Sequence, residues 1–201
     1  MTPEEIPAAD APAVTAVLAD AFADYPVMRY VLGDAYTPER LHRLITFFVM
    51  ARALRGHPML GVRDGEGGLA AVATVTPPEP GDEPAELDAV RSATWAELGD
   101  DARERYAAYG LATAPFGDGR PHHHINMLGV RRRHQGRGLT RPLLEAVHRL
   151  AHRDPGSAGV SLTTEVPANL SFYEHFGYRR VGHARVAPML ETWGLFREAE
   201  G

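Results

Sequence analysis

An α/β fold with a mixed central sheet is what this sequence predicts, on three observations. Some segments carry apolar residues at spacings of three and four; others are short alternating or continuous apolar runs; and the two kinds interleave along the chain. At 201 residues the chain suffices for one domain with a full core, and no repeat or linker divides it, so 1–201 is read as a single domain.

The first helical pattern spans 10–22, with Val14, Val17, Leu18, Ala21 and Phe22 on one stripe and Asp10 as its cap. The Asp24-Tyr25-Pro26 triplet breaks it. A second helix begins at Thr37-Pro38-Glu39, cap then proline at the first position, and runs to about residue 54. The period then changes. Residues 59–64 and 67–77 read as two strands joined by Asp64, Gly65, Gly67 and Gly68. Residues 77–84, rich in proline and acid, form an exposed loop, and 85–109 is helical in composition but weakly amphipathic. A strand at 122–130, a turn and helix from 131, and a strand at 158–164 follow. The segment 167–177 is a short helix ended by Gly177, and two paired strands close the chain.

All 21 basic Lys/Arg positions are arginine, and the net charge is −5, so basic clusters are local patches and a dedicated nucleic-acid binder is not expected. Cysteine is absent, which excludes disulfides, thiolate metal sites and a cysteine acyl-enzyme. The acidic, proline-bearing N-terminus is unlike a secretory signal, and no apolar run nears the roughly 20 residues of a membrane span. The expectation is a cytoplasmic protein without a membrane role.

Most of the chemistry concentrates in "VRRRHQGRGLTRPLLEAV", residues 130–147. Leu139, Leu143, Val147, Leu150 and Ala151 form one stripe, so a helix follows the glycines. Pro142 is tolerated only in a first turn, which places the helix start near Gly136–Gly138, inside the loop. Free N–H groups and the dipole at such a start favour an anion, with Arg131, Arg132, Arg133 and Arg137 as surrounding charge. The plainer alternative is a charged turn that caps a helix. A nucleoside-triphosphate loop would need GxxxxGK with Ser or Thr next, and there is no lysine. A dinucleotide fingerprint would need a third glycine where Arg141 stands.

What remains is R-x-x-G-x-G, from Arg133 to Gly138, after an apolar strand ending Leu128-Gly129-Val130. About thirty residues on, Asn169, Tyr173, Gly177 and Tyr178 give N-x-x-x-Y-x-x-x-G followed by an aromatic. Together these resemble the acetyl-CoA and catalytic motifs of the GNAT superfamily of N-acetyltransferases. The upstream segment "DAFADYP" with its arginine-rich helix resembles the puromycin N-acetyltransferase branch, so the likeness covers nearly the whole chain. The resemblance implies a sheet of about six to seven strands, splayed between the fourth and fifth, with acyl-CoA in the gap. It implies direct acetyl transfer from acetyl-CoA to an amine of a small molecule, by a monomer or homodimer and without a metal. A non-catalytic acyl-CoA-binding module of the same fold is the alternative.

By position, the resemblance assigns the donor to Leu128, Val130, Arg133, His134, Gln135, Gly136, Arg137, Gly138, Leu139, Thr140 and Asn169, with Tyr173 beside them as the acid for the leaving thiolate. Thr140 stands where many relatives have a third small residue, and Leu162-Thr163 replaces the puromycin branch's Leu-Glu, leaving Glu165 as the nearby acid. For the base, alternation puts His122, His124 and Asn126 on one strand face; His124 is the first choice and Glu165 the second. Strand-end histidines without catalytic work are the plainer reading. The wall of the acceptor pocket is expected from Phe22, Tyr25, Met28 and Tyr30, with Asp20, Asp24 or Glu165 near a cationic amine. Phe22 and Tyr30 serve equally well as packing between helices.

Overall fold

The computed structural model describes residues 2–116 and 119–199. Its centre is a seven-stranded open sheet in the order β1-β2-β3-β4-β5-β7-β6. The strands are β1 (Glu4–Glu5), β2 (Met59–Arg63), β3 (Leu69–Thr76), β4 (His123–Val130), β5 (Gly159–Thr164), β6 (Arg179–Ala187) and β7 (Leu190–Glu198). Only the β4–β5 pair is parallel. The interleaved α/β class predicted from the sequence is therefore the class observed.

One face of the sheet carries α1 (Ala11–Ala21), α2 (Pro26–Leu32) and α3 (Pro38–Ala53). The other carries α6 (Thr140–Arg153). β3, covered on both sides, is buried from Leu69 to Val75, which is why it reads as an unbroken apolar run. On α6 the predicted stripe holds: Leu143, Leu144, Val147 and Ala151 are buried against β2–β5. Each buried leucine or valine contributes about 1.5–3 kcal/mol. At α3 the Thr37 hydroxyl accepts the Arg40 N–H at 3.2 Å, the expected cap.

Three boundaries differ from the sequence reading. Pro26, read as a breaker, starts the seven-residue helix α2. The 85–109 segment is two helices, α4 (Ala85–Leu98) and α5 (Asp100–Thr113), parted at Gly99, whose φ of +83° ends the first. The helix after the glycines starts at Thr140, so Gly136 and Gly138 (φ +74° and +73°) lie wholly in the loop and Pro142 is its third residue. A short helix, α7 (Ala168–His175), ends before Gly177 at φ +83°.

The opening in the sheet has a local cause. Thr74 of β3 pairs with Met127 and Val75 with Ile125, so Asn126 is an extra residue on β4, a β-bulge. A bulge bends its strand and strengthens its twist. The parallel pairs between β4 and β5 are His123↔Val160, His124↔Ser161 and Ile125↔Leu162, and the pairing stops there, at the bulge. From Asn126 to Val130 the two strands diverge, which is the splay expected between the fourth and fifth strands.

Candidate active site

The divergence of β4 from β5 leaves a cavity of about 380 Å³, walled by β4 and β5, by the α1–α2 turn, and by α3, α5 and α7. Along β4 the side chains before the bulge keep the predicted alternation. His123 turns to Ser157 on the far face, Nδ1 to Oγ 3.0 Å, while His124 faces the cavity with Nδ1 2.7 Å from Ser161 Oγ. Beyond the bulge Leu128 also lines the cavity, and the β5-facing polar backbone groups of β4 have no strand partner there among the described residues. Such an edge can pair with an extended amide-bearing ligand and aim N–H groups at a developing oxyanion.

At the far side of the opening stands Glu165, directly after β5. It is 7% exposed, and its Oε1 accepts from the Tyr109 hydroxyl at 2.7 Å and the Thr192 hydroxyl at 2.7 Å. Tyr109 also reaches Thr163 Oγ1 at 3.1 Å. The Glu165 N–H donates to the Tyr25 hydroxyl at 3.3 Å, and that hydroxyl lies 3.2 Å from Thr164 Oγ1. Asn169 closes the chain by donating Nδ2–H to Thr164 Oγ1 at 3.2 Å. Burial raises the Glu165 carboxyl above the usual carboxylate range, against the pull of its hydroxyl donors.

Tyr173 projects from α7 into the same cavity, and its hydroxyl makes no hydrogen bond to the described residues. Burial, then the nearby Glu165 charge, pushes it up to about 12, so it stays protonated at neutral pH. His124 goes the other way: burial, with His122 and Arg52 nearby, lowers it to about 4, so it is neutral at pH 7.

Tyr173, His124, Glu165, Leu128 and Asn169 thus meet in one cavity, and Phe22, Tyr25 and Met28 form part of its wall. Tyr30 does not; it packs against the core of α1, α2 and α3. Asp20 and Asp24 are not cavity groups either. Arg132 binds both, its backbone N–H on Asp20 Oδ2 at 2.7 Å and its guanidinium on Asp24, which fastens the start of the glycine loop to the end of α1.

The loop arginines divide by role. Arg131 donates Nε–H to the Leu69 carbonyl at 2.9 Å, and Arg133 and His134 both lie 3.3 Å from Asp64 Oδ2 in the β2–β3 turn. These contacts brace the loop. The Gln135–Gly138 backbone with Arg137 is exposed, as are Arg132 and Arg133, and buried Leu139 and the first turn of α6 with Thr140 follow. Two left-handed glycines before a helix start form a concavity of N–H groups suited to a phosphate. A Cβ at Gly136 or Gly138 would meet nothing within 4 Å, so the space before the loop is open.

The sequence reading missed Arg52 and Phe48 of α3, Tyr106 and Tyr109 of α5, and Phe116, all in the cavity wall. Phe116 lies flat on β6 and β7: a Cβ on Gly182 or Gly194 would fall 2.1 and 2.7 Å from it, so both positions need glycine. For Phe116 the one signal was a glycine inside each of the two terminal strands, Gly182 and Gly194. Among the described residues no group of three or more His, Cys, Asp or Glu is placed to hold a metal, and no helix is long and apolar enough to cross a membrane.

Residues 92–191 match the model of a GNAT acetyltransferase domain. Among solved structures, the chain is similar to a Corynebacterium glutamicum protein described as histone acetyltransferase HPA2 and related acetyltransferase, with a TM-score of 0.69 at 20% identity over 100% of this chain and 99% of that one. It is similar to arylalkylamine N-acetyltransferase 2 from Aedes aegypti, TM-score 0.67 at 17% identity over 98% of each chain. A Drosophila melanogaster polyamine N-acetyltransferase that forms N-acetylagmatine gives 0.63 at 17% identity over 97% of each. At these identities the likeness is one of fold, and the fold is that of the GNAT acetyltransferases.

Proposed function

We propose that this chain, a GNAT-fold protein with a GNAT acetyltransferase domain over residues 92–191, moves the acetyl group of acetyl-CoA directly to an amine of a small acceptor. The observation that carries the reading is the meeting, at the bulged splay of β4 and β5, of an unbonded tyrosine hydroxyl and a buried carboxyl, with the glycine loop at the other end of the same strand. Arylalkylamine and polyamine acetyltransferases among the structural neighbours support an amine acceptor. Without cysteine, no thioester enzyme intermediate is available.

In this reading the N–H groups from Gln135 to Thr140 hold the pyrophosphate, with Arg137 adding charge, and the open edge around Leu128 and Val130 pairs with the pantetheine arm. Acetyl-CoA supplies the acyl thioester. Asn169 holds α7 to the end of β5, which fixes Tyr173 as the proton donor to the departing thiolate. An ammonium of pKa ~10 must first lose its proton. Transfer to His124, at about 4, is uphill by roughly six units, on the order of 8 kcal/mol. Glu165, held above the ordinary carboxylate range, is the better acceptor, and we place it ahead of His124 as base.

We read 1–201 as one domain, since the sheet draws strands from Glu4 to Glu198. It acts in the cytoplasm as a monomer or homodimer, without metal. The narrower likeness to the puromycin branch rests on the α1–α2 segment, whose Phe22, Tyr25 and Met28 line the cavity and suit an aromatic amine. The test is a panel of amines assayed for acetyl-CoA-dependent thiol release and product mass. Acetylation of at least one amine at substrate-dependent, saturable rates is expected. Binding of CoA with no acceptor turned over across the panel would favour a non-catalytic acyl-CoA module instead.

A further inference from the structure

The acceptor side of the cavity contains a cation with no counter-charge among the described residues. Arg52, in the last turn of α3, lines the cavity; its Nη1 donates to Thr76 Oγ1 at 2.9 Å, and Thr76 in turn donates to Asn126 Oδ1 at 2.9 Å. Among the described residues its Nε is enclosed and without a partner, and no carboxylate pairs with the guanidinium. Neighbouring Arg55 adds like charge but is itself bound to Glu83 at 2.5 Å. Tyr106, His57 and His124 are the other groups that sense the Arg52 charge, and none is an anion. A desolvated guanidinium without a counter-ion is destabilising, and native folds rarely keep one without use.

Its position separates it from the donor. The glycine loop lies past Val130, whereas Arg52 is tied to Asn126, four residues back, or roughly 13 Å of strand. A CoA phosphate held by the loop is therefore not its partner. Across the cavity stand Glu165 and Tyr173, where the amine would react, and the wall between is aromatic: Phe48, Tyr106, Tyr109 and Tyr25. The site has a basic pole and an acidic pole joined by rings.

We propose that the acceptor is an amine that also carries a carboxylate, an amino acid with an aromatic or apolar side chain, whose carboxylate is held by Arg52 while its amine faces Glu165. The inference rests on the acetyl-transfer reading for the chemistry but not for the binding. The planar guanidinium, steadied by Thr76, is the group of choice for a carboxylate.

The test uses matched pairs, tyrosine against tyramine and tryptophan against tryptamine, titrated by calorimetry into the CoA-loaded protein, with turnover followed in parallel. The carboxylate-bearing member is expected to bind at least tenfold more tightly, and this ratio is expected to fall near one in Arg52→Gln and to survive partly in Arg52→Lys. Equal affinities within each pair, no binding of either acid at millimolar concentration, or a ratio unchanged by Arg52→Gln would each overturn it. A binding ratio of tenfold without any acetylation would leave the anion site standing and remove the acetyl-transfer reading, so the two failures are separable.

Discussion

Tyr109 donates its hydroxyl to Oε1 of Glu165 across 2.7 Å, the same oxygen that takes the Thr192 hydroxyl. A donor to a carboxylate favours the charged form, so Tyr109 holds the Glu165 pKa below where burial alone would leave it. In Tyr109→Phe that restraint is gone and the pKa rises further. If Glu165 is the base, the ascending limb of kcat/KM against pH shifts to higher pH in this variant. A limb that stays in place, with activity otherwise retained, would detach Glu165 from the base role.

The same shift has a consequence for stability. Glu165 has a higher pKa folded than unfolded, so the folded state holds its proton more tightly, and stability falls as pH rises through the interval between the two values. Glu165→Gln lacks the titration and keeps an oxygen for both hydroxyls. Its Tm relative to wild type should therefore climb with pH from about 4.5 upward, while its acetyl transfer drops by about 10²-fold or more. Thermal melts across a pH series read the first, steady-state rates the second; a Tm difference that is flat with pH would contradict the raised carboxyl.

Tyr173 offers a cleaner separation of structure from chemistry. Its hydroxyl bonds to none of the described residues, and its ring packs on Phe172 and Tyr178. Tyr173→Phe keeps the ring, so the melting temperature and CoA affinity should be within error of wild type. Turnover should fall by about 10²–10⁴-fold, the range for loss of a positioned general acid. Retention of full turnover removes Tyr173 as the acid.

What the sequence made legible were features written in adjacent residues: the Thr37 cap, the stripe of α6, the helix-ending Gly177, and the motif residue Tyr173 on its short helix. What it hid depended on distant partners. Tyr106 and Tyr109 line the cavity at the edge of the core, and with only Ala102 of α5 buried the helix shows no apolar stripe from which its role could be read. Nothing local marks Asn126 as a bulge, since the extra residue exists only relative to β3. That Arg131, Arg132 and Arg133 brace the loop against Leu69, Asp20, Asp24 and Asp64 could not be read either, since each partner lies more than sixty residues away. Arg52 was one more charge on an arginine-rich helix.

His124 is expected to matter more for acid stability than for proton abstraction. Its folded pKa of about 4 lies below the unfolded value near 6.5, so the folded state takes up its proton later. The stability this lends is complete above pH 6.5 and is lost as pH falls toward 4, to the extent of about 3 kcal/mol in order of magnitude. His123, His57 and His148 are lowered as well and add to the wild-type curve. The contribution of His124 is thus the difference between wild type and His124→Gln in denaturant unfolding at pH 7 and pH 4.5. Wild type should lose more over that interval, while the variant keeps turnover within about tenfold; a collapse of turnover with an altered pH profile would return the base role to His124.

The loop prediction turns on separating backbone strain from ligand contact. Gly136 has φ +74°, where an L side chain costs about 1–2 kcal/mol, and a Cβ there meets nothing within 4 Å. Gly136→Ala should therefore fold, with a Tm lowered by roughly 2–8 °C for a chain of this length. Gly56, at φ +65° just past the end of α3 and equally open, carries a comparable backbone penalty away from the loop. Gly56→Ala is the control: its melting loss should be similar and its CoA affinity that of wild type. In Gly136→Ala the Cβ either occupies the space before the loop or forces its N–H groups to turn, and CoA affinity measured by calorimetry should fall at least tenfold. Equal CoA affinity in the two variants would mean the glycines serve only the turn, and the pyrophosphate would have to be sought elsewhere along the open edge of β4.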